Sequence, residues 1–361
     1  MRRLAAVLVY AFALSACGGG SGGSTLPLAA PLPGSANSGN SPDVSVPQHY
    51  AIVDLGAQVY PLAINNRNTV VGAFGGGAFR YRNGTLQTLH APGGGPALNA
   101  TDVNDRDVVV GTNGYAIEWQ PDGSALDLGA PPVSFVQTVA IGNDGEILGI
   151  SPLSGIAGCG GALTLFAANA APKSVGPDSI SIGGINASGV AAIGEYEQSG
   201  AACMGSMSPA LYPAFTAVAV PPDFNLDTFT GIVAVTDINN TGSVIGYGPT
   251  TTPQGTGPIA TFLSRGGNAI EIDPPGGYDT LLGFGMNDLG WIVGTLQLQS
   301  TQVIPHAFVW NGGRVTDLNA LVPANCNWVL NAAQDVNNAG DIIGTGTFDG
   351  KTHGFLLVPQ H

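Results

Sequence analysis

Hydrophobic residues in this chain occur in short runs, and no long stretch places them at the 3.6-residue period of an amphipathic helix. The runs are rich in valine, isoleucine, threonine and glycine, and tight turns of the Asn-Gly or Asp-Gly type separate many of them. Short runs of strand-forming residues between such turns are typical of all-β proteins. The pattern therefore predicts a domain of short β-strands.

One motif recurs along the chain and predicts how these strands are organised. It joins a polar turn to a short apolar end, as in INNTGSVIG from Ile238 to Gly246, and the fourth copy carries one extra residue. The copies begin 38 to 53 residues apart, a period that suits a four-stranded unit repeated around an axis. The seven copies are Ile64 to Gly72, Val103 to Gly111, Ile141 to Gly149, Ile185 to Gly194, Ile238 to Gly246, Met286 to Gly294 and Val336 to Gly344.

Each repeat has a second half, as in AFVWNGGRVTDL from Ala307. A small residue and an apolar residue begin one strand, and a tight turn then leads into a second strand. We assign four strands to each repeat: A before the motif, B at its apolar end, C at the AFVW run and D at the TDL run. The apolar residue of strand C is expected to pack between neighbouring sheets at Phe79, Ile117, Leu163, Leu211, Phe262, Phe308 and Phe355.

The two ends of the repeat region predict how the array closes. The seventh repeat ends in HGFLLVPQH and lacks a strand D, whereas AIVDLG before the first motif is a spare strand D. Pairing these segments would leave few free strand edges. The sequence therefore predicts an all-β, seven-bladed β-propeller with four-stranded blades, whose last blade is closed by the N-terminal strand, residues 50–56.

Some copies of the repeat also resemble a known family. His306 to Trp310 reads HAFVW and is followed by Asp317-Leu318, while His353 to Phe355 reads HGF and matches in part. A motif turn followed by HAFxW and a DLG strand resembles the bacterial extracellular HAF-repeat family, and the resemblance covers nearly the whole domain. It implies an exported repeat protein and brings no activity with it.

The first residues predict export and a lipid anchor. Two arginines precede an apolar run from Leu4 to Leu14, which is shorter than the roughly 20 residues of a membrane span. Leu14 to Cys17 resembles the lipobox of bacterial lipoproteins, which implies cleavage before Cys17 and lipidation of its thiol; the alternative is an ordinary secretory peptide with a chance cysteine. Gly18, where an aspartate would mark inner-membrane retention, favours an outer-membrane lipoprotein, either periplasmic or surface-facing.

Three segments follow from this interpretation. Residues 1–17 are a lipoprotein signal peptide, and residues 18–48, dominated by Gly, Ser, Pro, Ala and Asn, are a flexible tether that cannot bury enough apolar surface to fold. Residues 49–361 form the propeller. The formal net charge of −14 argues against nucleic-acid binding, and only 9% of residues are charged, which leaves few candidates for acid–base chemistry.

The cysteines predict one disulfide and no metal site. Cys159 and Cys203 lie in insertions of adjacent repeats, and we predict that they pair and leave Cys326 over. The turns DINNTG from Asp237 and DVNNAG from Asp335 are similar to calcium loops, but they lack the third alternating carboxylate and the downstream bidentate glutamate. We therefore predict neither a metal ion nor another cofactor.

The polar residues of the motif are predicted to shape a turn. The second-position asparagine can bond the backbone two residues on. The fifth position holds only residues that tolerate a left-handed backbone, which a bulged turn requires. These fifth-position residues are Asn68, Asp107, Gly145, Gly189, Gly242, Gly290 and Gly340.

No catalytic residue is predicted. Asp54, Asp127 and Asp317 recur in register, and His306 and His353 begin equivalent strands, so all five are interpreted as framework. A Ser-His-Asp arrangement has no nucleophile-elbow GxSxG to support it.

Sequence variation is expected on one face. The segment between the motif glycine and strand C is short in the first two repeats and longer in the others, and these B–C loops share a face with the inter-blade D–A loops. Candidate ligand-binding residues there are Glu195, Tyr196, Glu197, Tyr247, Tyr278 and Gln297. The leading hypothesis is a non-enzymatic, lipid-anchored propeller that presents this face to a glycan or an envelope protein. The alternatives are a polysaccharide hydrolase or lyase acting at the channel, where acidic residues with perturbed pKa values would converge, and a structural surface protein without a specific ligand.

Overall fold

The computed structural model describes residues 10–11, 46–129, 136, 138–152, 161–198, 205–225, 234–253, 255–298 and 304–360. In these ranges the chain forms strands and turns, with one 3₁₀ turn at Leu318–Leu321. No helix within the described residues is long and apolar enough to cross a membrane.

The described strands form five sheets, of five, four, seven, eight and four strands, in which strands pair largely in chain order. We number the blades one to seven by the motif that each contains. The strands that precede and form the first four blades are β1 (Tyr10–Ala11), β2 (His49–Ala57), β3 (Val59–Ile64), β4 (Val70–Phe74), β5 (Gly77–Arg82), β6 (Thr85–Leu89), β7 (Asn99–Val103), β8 (Val109–Thr112), β9 (Ala116–Trp119), β10 (Ala125–Gly129), β11 (Thr138–Ile141), β12 (Ile147–Pro152), β13 (Gly161–Phe166), β14 (Lys173–Ile185), β15 (Ala191–Gln198), β16 (Gly205–Tyr212) and β17 (Thr216–Ala217). The two-residue β1 pairs with β6 at the edge of the first blade.

The last three blades continue this order. Their strands are β18 (Ala234–Ile238), β19 (Val244–Thr252), β20 (Gly255–Arg265), β21 (Asn268–Ile272), β22 (Thr280–Met286), β23 (Ile292–Gln297), β24 (His306–Trp310), β25 (Val315–Asp317), β26 (Trp328–Val336), β27 (Ile342–Phe348) and β28 (Lys351–Gln360). In the seventh blade the order is β2-β28-β27-β26, so the N-terminal strand takes the outer position. The predicted all-β propeller is confirmed, and β2 spans the predicted residues 50–56.

Two pairs of blades are joined more closely than the sequence predicts. β14 is one continuous strand that pairs first with β13 and then with β15, so it serves as strand D of blade three and strand A of blade four. In blades five and six, β20 and β22 share one parallel pair between Ile259 and Thr280. The strand assignment of four per blade holds, but these blades merge into larger sheets.

The last glycine of the motif is required by a bulge in strand A. In blade five the register of strand A shifts between Val235 and Asp237, and this brings the carbonyl of Ala234 onto Gly246. A Cβ on Gly246 would overlap that oxygen and would lie 2.6 Å from Cζ of Phe262, whose ring covers the glycine. The same overlap with a strand A carbonyl exists at Gly72, Gly111, Gly294 and Gly344.

The core residues predicted on strand C are mostly confirmed. Six of the seven are fully buried, whereas Leu211 is only half-buried. In blades three and four the equivalence is wrong, because Thr164 lies opposite Gly149 and Pro209 lies opposite Gly194. Both blades contain the small residue followed by an apolar residue, but the inserted residues change the register of strand C. In blade three the shift is one residue, which turns Leu163 toward blade four.

The motif turn adopts the predicted conformation in every blade. All seven fifth-position residues have positive φ, from 60° at Asn68 to 97° at Gly145. The Oδ1 atom of Asn65 accepts hydrogen bonds from the N–H groups of Arg67 and Thr69, both at 2.9 Å. The predicted bond to the backbone two residues on is thus confirmed, and a second one reaches four residues on.

The same asparagine also joins neighbouring blades, which the sequence analysis missed. Its Nδ2 donates to the carbonyl of the second motif residue in the next blade, and the seventh blade closes the series onto the first. These bonds run from Asn65 to Asn104 (2.8 Å), Asn104 to Gly142 (3.2 Å), Asn186 to Asn239 (3.3 Å), Asn239 to Asn287 (3.1 Å), Asn287 to Asn337 (3.0 Å) and Asn337 to Asn65 (3.3 Å).

A second circle of hydrogen bonds lies beside the first. The N–H of each third motif residue donates to the side-chain oxygen of the third residue in the next blade. The bonds run from Asn66 to Asp105 (2.9 Å), Asp105 to Asn143 (2.7 Å), Ala187 to Asn240 (2.6 Å), Asn240 to Asp288 (2.8 Å), Asp288 to Asn338 (2.8 Å) and Asn338 to Asn66 (2.9 Å).

Both circles are interrupted between blades three and four. Gly142 has no side chain to donate, and Ala187 offers no side-chain oxygen to the N–H of Asn143. Asp144 replaces part of the missing asparagine, since its Oδ1 accepts from the N–H of Glu146 at 3.0 Å. The continuous strand β14 joins the two blades at this interface.

Restoring one missing bond should stabilise the domain. We expect Ala187→Asn to accept a hydrogen bond from the N–H of Asn143 and to raise the free energy of unfolding by about 1 kcal/mol. Chemical denaturation of the purified protein measures this change. Ala187→Val, which adds bulk without an acceptor, is the control, and equal stabilities for the two variants would contradict the explanation.

Candidate functional site

The inner strands of the blades line an axial channel that holds two cavities of about 160 Å³ each. One cavity lies at the mouth formed by the seven motif turns, which we call the motif face. The other lies in the opposite half of the channel, and its wall includes Leu62, Phe284 and Gln334. Asp102, Asp237 and Asp335 line both cavities and therefore stand between them.

Each of these aspartates links two blades. Oδ1 of Asp335 accepts from the N–H of Val336 at 2.7 Å, and Oδ2 accepts from the N–H of Ile64 in the first blade at 2.9 Å. Asp102 and Asp237 make the same pair of bonds to their own next residue and to the following blade. The equivalent positions in the other four blades are Ala63, Ala140, Gly184 and Gly285.

Loss of hydration perturbs all three carboxyl groups. Burial raises the pKa of Asp102 to about 6 and the pKa of Asp335 to about 7, against the lowering effect of the backbone N–H groups. Burial raises the pKa of Asp237 well above its usual range, and the nearby carboxylate of Asp335 raises it further. The three groups share one channel, and ionisation of one disfavours ionisation of the others.

These aspartates are the converging acidic residues that a channel enzyme would require, and sequence reasoning missed them. A carboxylate stands directly before the motif in only three of the seven repeats, so these aspartates do not form a recurring pattern as the TDL aspartates do. The described residues that line the two cavities include no Glu and no His. Across the described part of the chain, no three His, Cys, Asp or Glu side chains are placed to hold a metal ion.

The framework role predicted for the HAF histidines has a physical basis. Nδ1 of His306 contacts Oδ2 of Asp317 at 2.6 Å and the hydroxyl of Tyr278 at 3.1 Å. Nδ1 of His353 contacts Oδ1 of Asp54 at 2.9 Å. In both blades the histidine of strand C is thus tied to the aspartate of strand D. In blade two, Asp127 accepts from the N–H of Gly129 at 2.7 Å, a bond to the backbone two residues on that Asp54 and Asp317 also make.

The face opposite the motif turns carries β-hairpins of unequal length, and we call it the hairpin face. The insertions expected to be loops are largely strand, because β15–β16, β19–β20 and β27–β28 continue their pairing beyond the blade. Glu195, Tyr196, Glu197, Tyr247 and Gln297 lie in strands and not in loops, which corrects the prediction. The connections at 153–160, 199–204 and 299–303 are outside the described residues.

The six predicted contact residues do not form one pocket. Tyr196 is buried, and Tyr247 packs edge-on against Phe284 with ring centroids 6.2 Å apart. Glu197 is exposed beside half-buried Glu195, and burial, followed by the charge of Glu197, raises the pKa of Glu195. Tyr278 and Gln297 lie at blade six, away from the β15–β16 hairpin.

An aromatic cluster on blade seven was missed. Trp328 and Phe348 are directly opposite each other on β26 and β27, and their rings stack with centroids 5.0 Å apart and planes 20° apart. His353 on β28 contacts both rings edge-on, at 5.9 and 5.4 Å. The signal in the sequence is the placement of aromatic residues on both sides of the Asp349-Gly350 turn.

The disulfide prediction is partly wrong. Cys326 is buried and disulfide-bonded, so it is not left over. Spacing along the chain did not reveal this bond, because ring geometry decides which segments meet. Cys17, Cys159 and Cys203 lie outside the described residues, and so does the predicted pairing of Cys159 with Cys203.

Solved structures similar to this chain include β-propellers. An oligogalacturonate lyase from Vibrio parahaemolyticus is 9% identical with a TM-score of 0.52, covering 86% of this chain and 93% of its own. The β-propeller domain of the Trilobed protease from Pyrococcus furiosus is 8% identical with a TM-score of 0.45, covering 70% and 79%. The Dos1 propeller is 10% identical with a TM-score of 0.44, covering 86% and 94%. No protein-family model and no curated protein matches the sequence. At these identities the likeness concerns the fold alone.

The channel aspartates should give the domain a characteristic pH dependence. A carboxyl group whose pKa is higher in the folded than in the unfolded protein contributes its full stability below the unfolded value and loses it as pH rises toward the folded value. For Asp335 this window runs from about 4 to about 7. We expect the difference in unfolding free energy between wild type and Asp335→Asn to be larger at pH 5 than at pH 8, by on the order of 2 kcal/mol.

Urea denaturation at the two pH values measures this difference. Thr236→Ala is the matched control, since it removes a channel hydrogen bond, from Thr236 to the carbonyl of Gly283, that does not titrate. A pH dependence of equal size in both variants would show that Asp335 is not its source.

Proposed function

We propose that the protein is a non-enzymatic, lipid-anchored propeller of the cell envelope that binds a glycan or a protein partner through its hairpin face. The observation that carries this proposal is the difference between the two faces. The motif face is tied by the same asparagine contacts in nearly every blade. The hairpin face differs from blade to blade in strand length and in exposed side chains, and variable surface on a rigid scaffold is where binding usually resides.

The carboxylates of the channel support a structural interpretation of that region. Both oxygens of each aspartate accept a backbone N–H, and one of those N–H groups belongs to the next blade. An aspartate in these positions serves blade cohesion, and a substrate proton taken up by one of its oxygens would weaken the N–H bond that this oxygen accepts.

The binding proposal predicts retention of a partner. We expect the full-length protein, purified in detergent, to bind a subset of an immobilised glycan array or to retain a specific component of an envelope extract. Protein unfolded and refolded without its disulfide is the control for nonspecific adhesion. Absence of binding in both assays would contradict the proposal and favour a structural surface protein without a ligand.

The anchor rests on the N-terminal sequence, in which Leu14 to Cys17 resembles a lipobox. We expect Cys17→Ala to abolish metabolic labelling by radioactive palmitate and to move the protein from the membrane to the soluble fraction. Ser21→Ala, in the predicted tether, is the control, because it leaves Cys17 in place. Unchanged labelling and fractionation of Cys17→Ala would show that the segment is an ordinary secretory signal.

A second candidate is an envelope polysaccharide hydrolase or lyase that acts at the channel. The observation that favours it is the set of three channel aspartates with raised pKa values. Its test is release of reducing ends or unsaturated products from envelope polysaccharides. Activity that Asp237→Asn abolishes without unfolding the protein would establish this candidate over the first.

A further inference from the structure

We propose that the aromatic cluster of blade seven is a binding platform for a neutral glycan. The cluster consists of Trp328, Phe348 and His353, at the end of the β27–β28 hairpin on the hairpin face. This inference rests on the proposed function and specifies the ligand class and the place where it binds.

The hairpin that carries the cluster is longer than the blade requires. In blade one, strands B and C pair only as far as Phe74 and Gly77, two residues beyond the motif glycine. In blade seven they continue four residues beyond Gly344, to the pair Phe348 and Lys351. Since a blade forms without the additional pairs, they serve to extend the strands outward.

The aromatic rings remain partly open to solvent although a buried core lies directly below them. Phe355 and Leu330 fill the space between blades six and seven and are fully buried. Trp328 and Phe348 are only half-buried. The other three tryptophans, Trp119, Trp291 and Trp310, are buried. A partly exposed pair of large rings, one on β26 and one on the β27–β28 hairpin, therefore distinguishes this blade within the described residues.

The backbone beneath the indole is adapted to it. A Cβ on Gly346 would lie 2.7 Å from the carbonyl oxygen of Val329, and 3.1 Å from Cε3 and 3.2 Å from Cζ3 of Trp328. Gly346 does not have a positive φ, and it is the close approach of the Val329 carbonyl that excludes a side chain at this position. The missing side chain lets the indole lie close against the strand, which holds the ring in one orientation before a ligand arrives.

Polar groups surround the rings. Nδ1 of His353 is held by Asp54, which fixes the imidazole edge-on to both rings. At the turn, Nδ2 of Asn327 donates to Oδ1 of exposed Asp349 at 3.4 Å. Amide and carboxylate groups beside an aromatic surface provide donors and acceptors for hydroxyl groups.

This combination matches the two sides of a sugar ring. The faces of aromatic rings carry partial negative charge and attract the polarised C–H groups of a pyranose, while its hydroxyls reach the polar rim. The carboxylates of Asp54 and Asp349 and the formal net charge of −14 oppose an acidic polysaccharide. A neutral glycan is therefore the occupant that the charge of this surface favours.

The test measures binding of cellohexaose, mannohexaose and chitohexaose to the full-length protein in detergent, with hexagalacturonate as the acidic comparison. We expect at least one neutral oligosaccharide to bind, Trp328→Ala to weaken it by about tenfold or more, and Trp328→Phe to retain part of the affinity. Phe215→Ala, at a 37% exposed aromatic residue in the turn between β16 and β17 of blade four, is the matched control and should leave binding unchanged.

A second readout does not depend on the folding of a variant. Trp328 is the half-exposed tryptophan, so bound oligosaccharide should protect the wild-type fluorescence from quenching by acrylamide. Neutral glycan binding that survives both Trp328→Ala and Phe348→Ala without loss, or stronger binding of hexagalacturonate, would overturn the inference and leave the proposed function standing. Retention of an envelope protein with no glycan bound would do the same. Absence of any partner, glycan or protein, would overturn both.

Discussion

The buried asparagine at the second position of the motif is the interaction on which the rest of the structure depends. Its oxygen accepts two N–H groups of its own turn, and its Nδ2 donates to a carbonyl of the next blade. One side chain thus shapes the turn and sets its position relative to a neighbour. An aspartate has no donor for the second role, and a buried amide without both partners would be costly. Where Gly142 interrupts this arrangement, Asp144 takes over a local bond and a continuous strand joins the blades.

The same requirement decides where chemistry can be placed. At the motif face, side chains and backbone groups are already engaged in contacts between blades, and the channel aspartates are engaged in the same way. Their carboxylates lose hydration to make these bonds, which raises their pKa values. A raised pKa in this channel therefore has a structural cause that is sufficient without a substrate.

Much of the architecture could be predicted because it is repeated. The fifth residue of the turn is always Gly, Asn or Asp, which predicts the positive φ found there. The recurrence of the turn predicts repeated blades, and the spare strand at residues 50–56 predicts its pairing with the last strand of the chain. Contacts between separate repeats could not be predicted from the sequence. The hydrogen bond from Asn65 to the next blade, for example, depends on how far apart the ring places neighbouring blades. The register of β13 and β16 and the extension of β15 into a hairpin depend on inserted residues, which have no second copy for comparison. The sequence predicted which face is variable but not the aromatic cluster on it. Trp328 and Phe348 are 20 residues apart and meet only through the pairing of β26 with β27.

The hairpins can vary because the cohesion of the blades does not depend on them. The circles of hydrogen bonds lie at the motif face, and the strand C aromatics, such as Phe355, are buried below the point where β27 and β28 extend. The exposed residues of this extension, such as Asp349 and Lys351, contribute little to blade packing, so their side chains can change without loosening the ring. An open pair of stacked rings is costly in water, since its apolar surface gains nothing until it is covered. Trp328 packs against the core of blades six and seven on one side, yet it and Phe348 keep part of their rings exposed. That exposed surface is the part of the pair that blade packing does not account for and that the proposed glycan would cover.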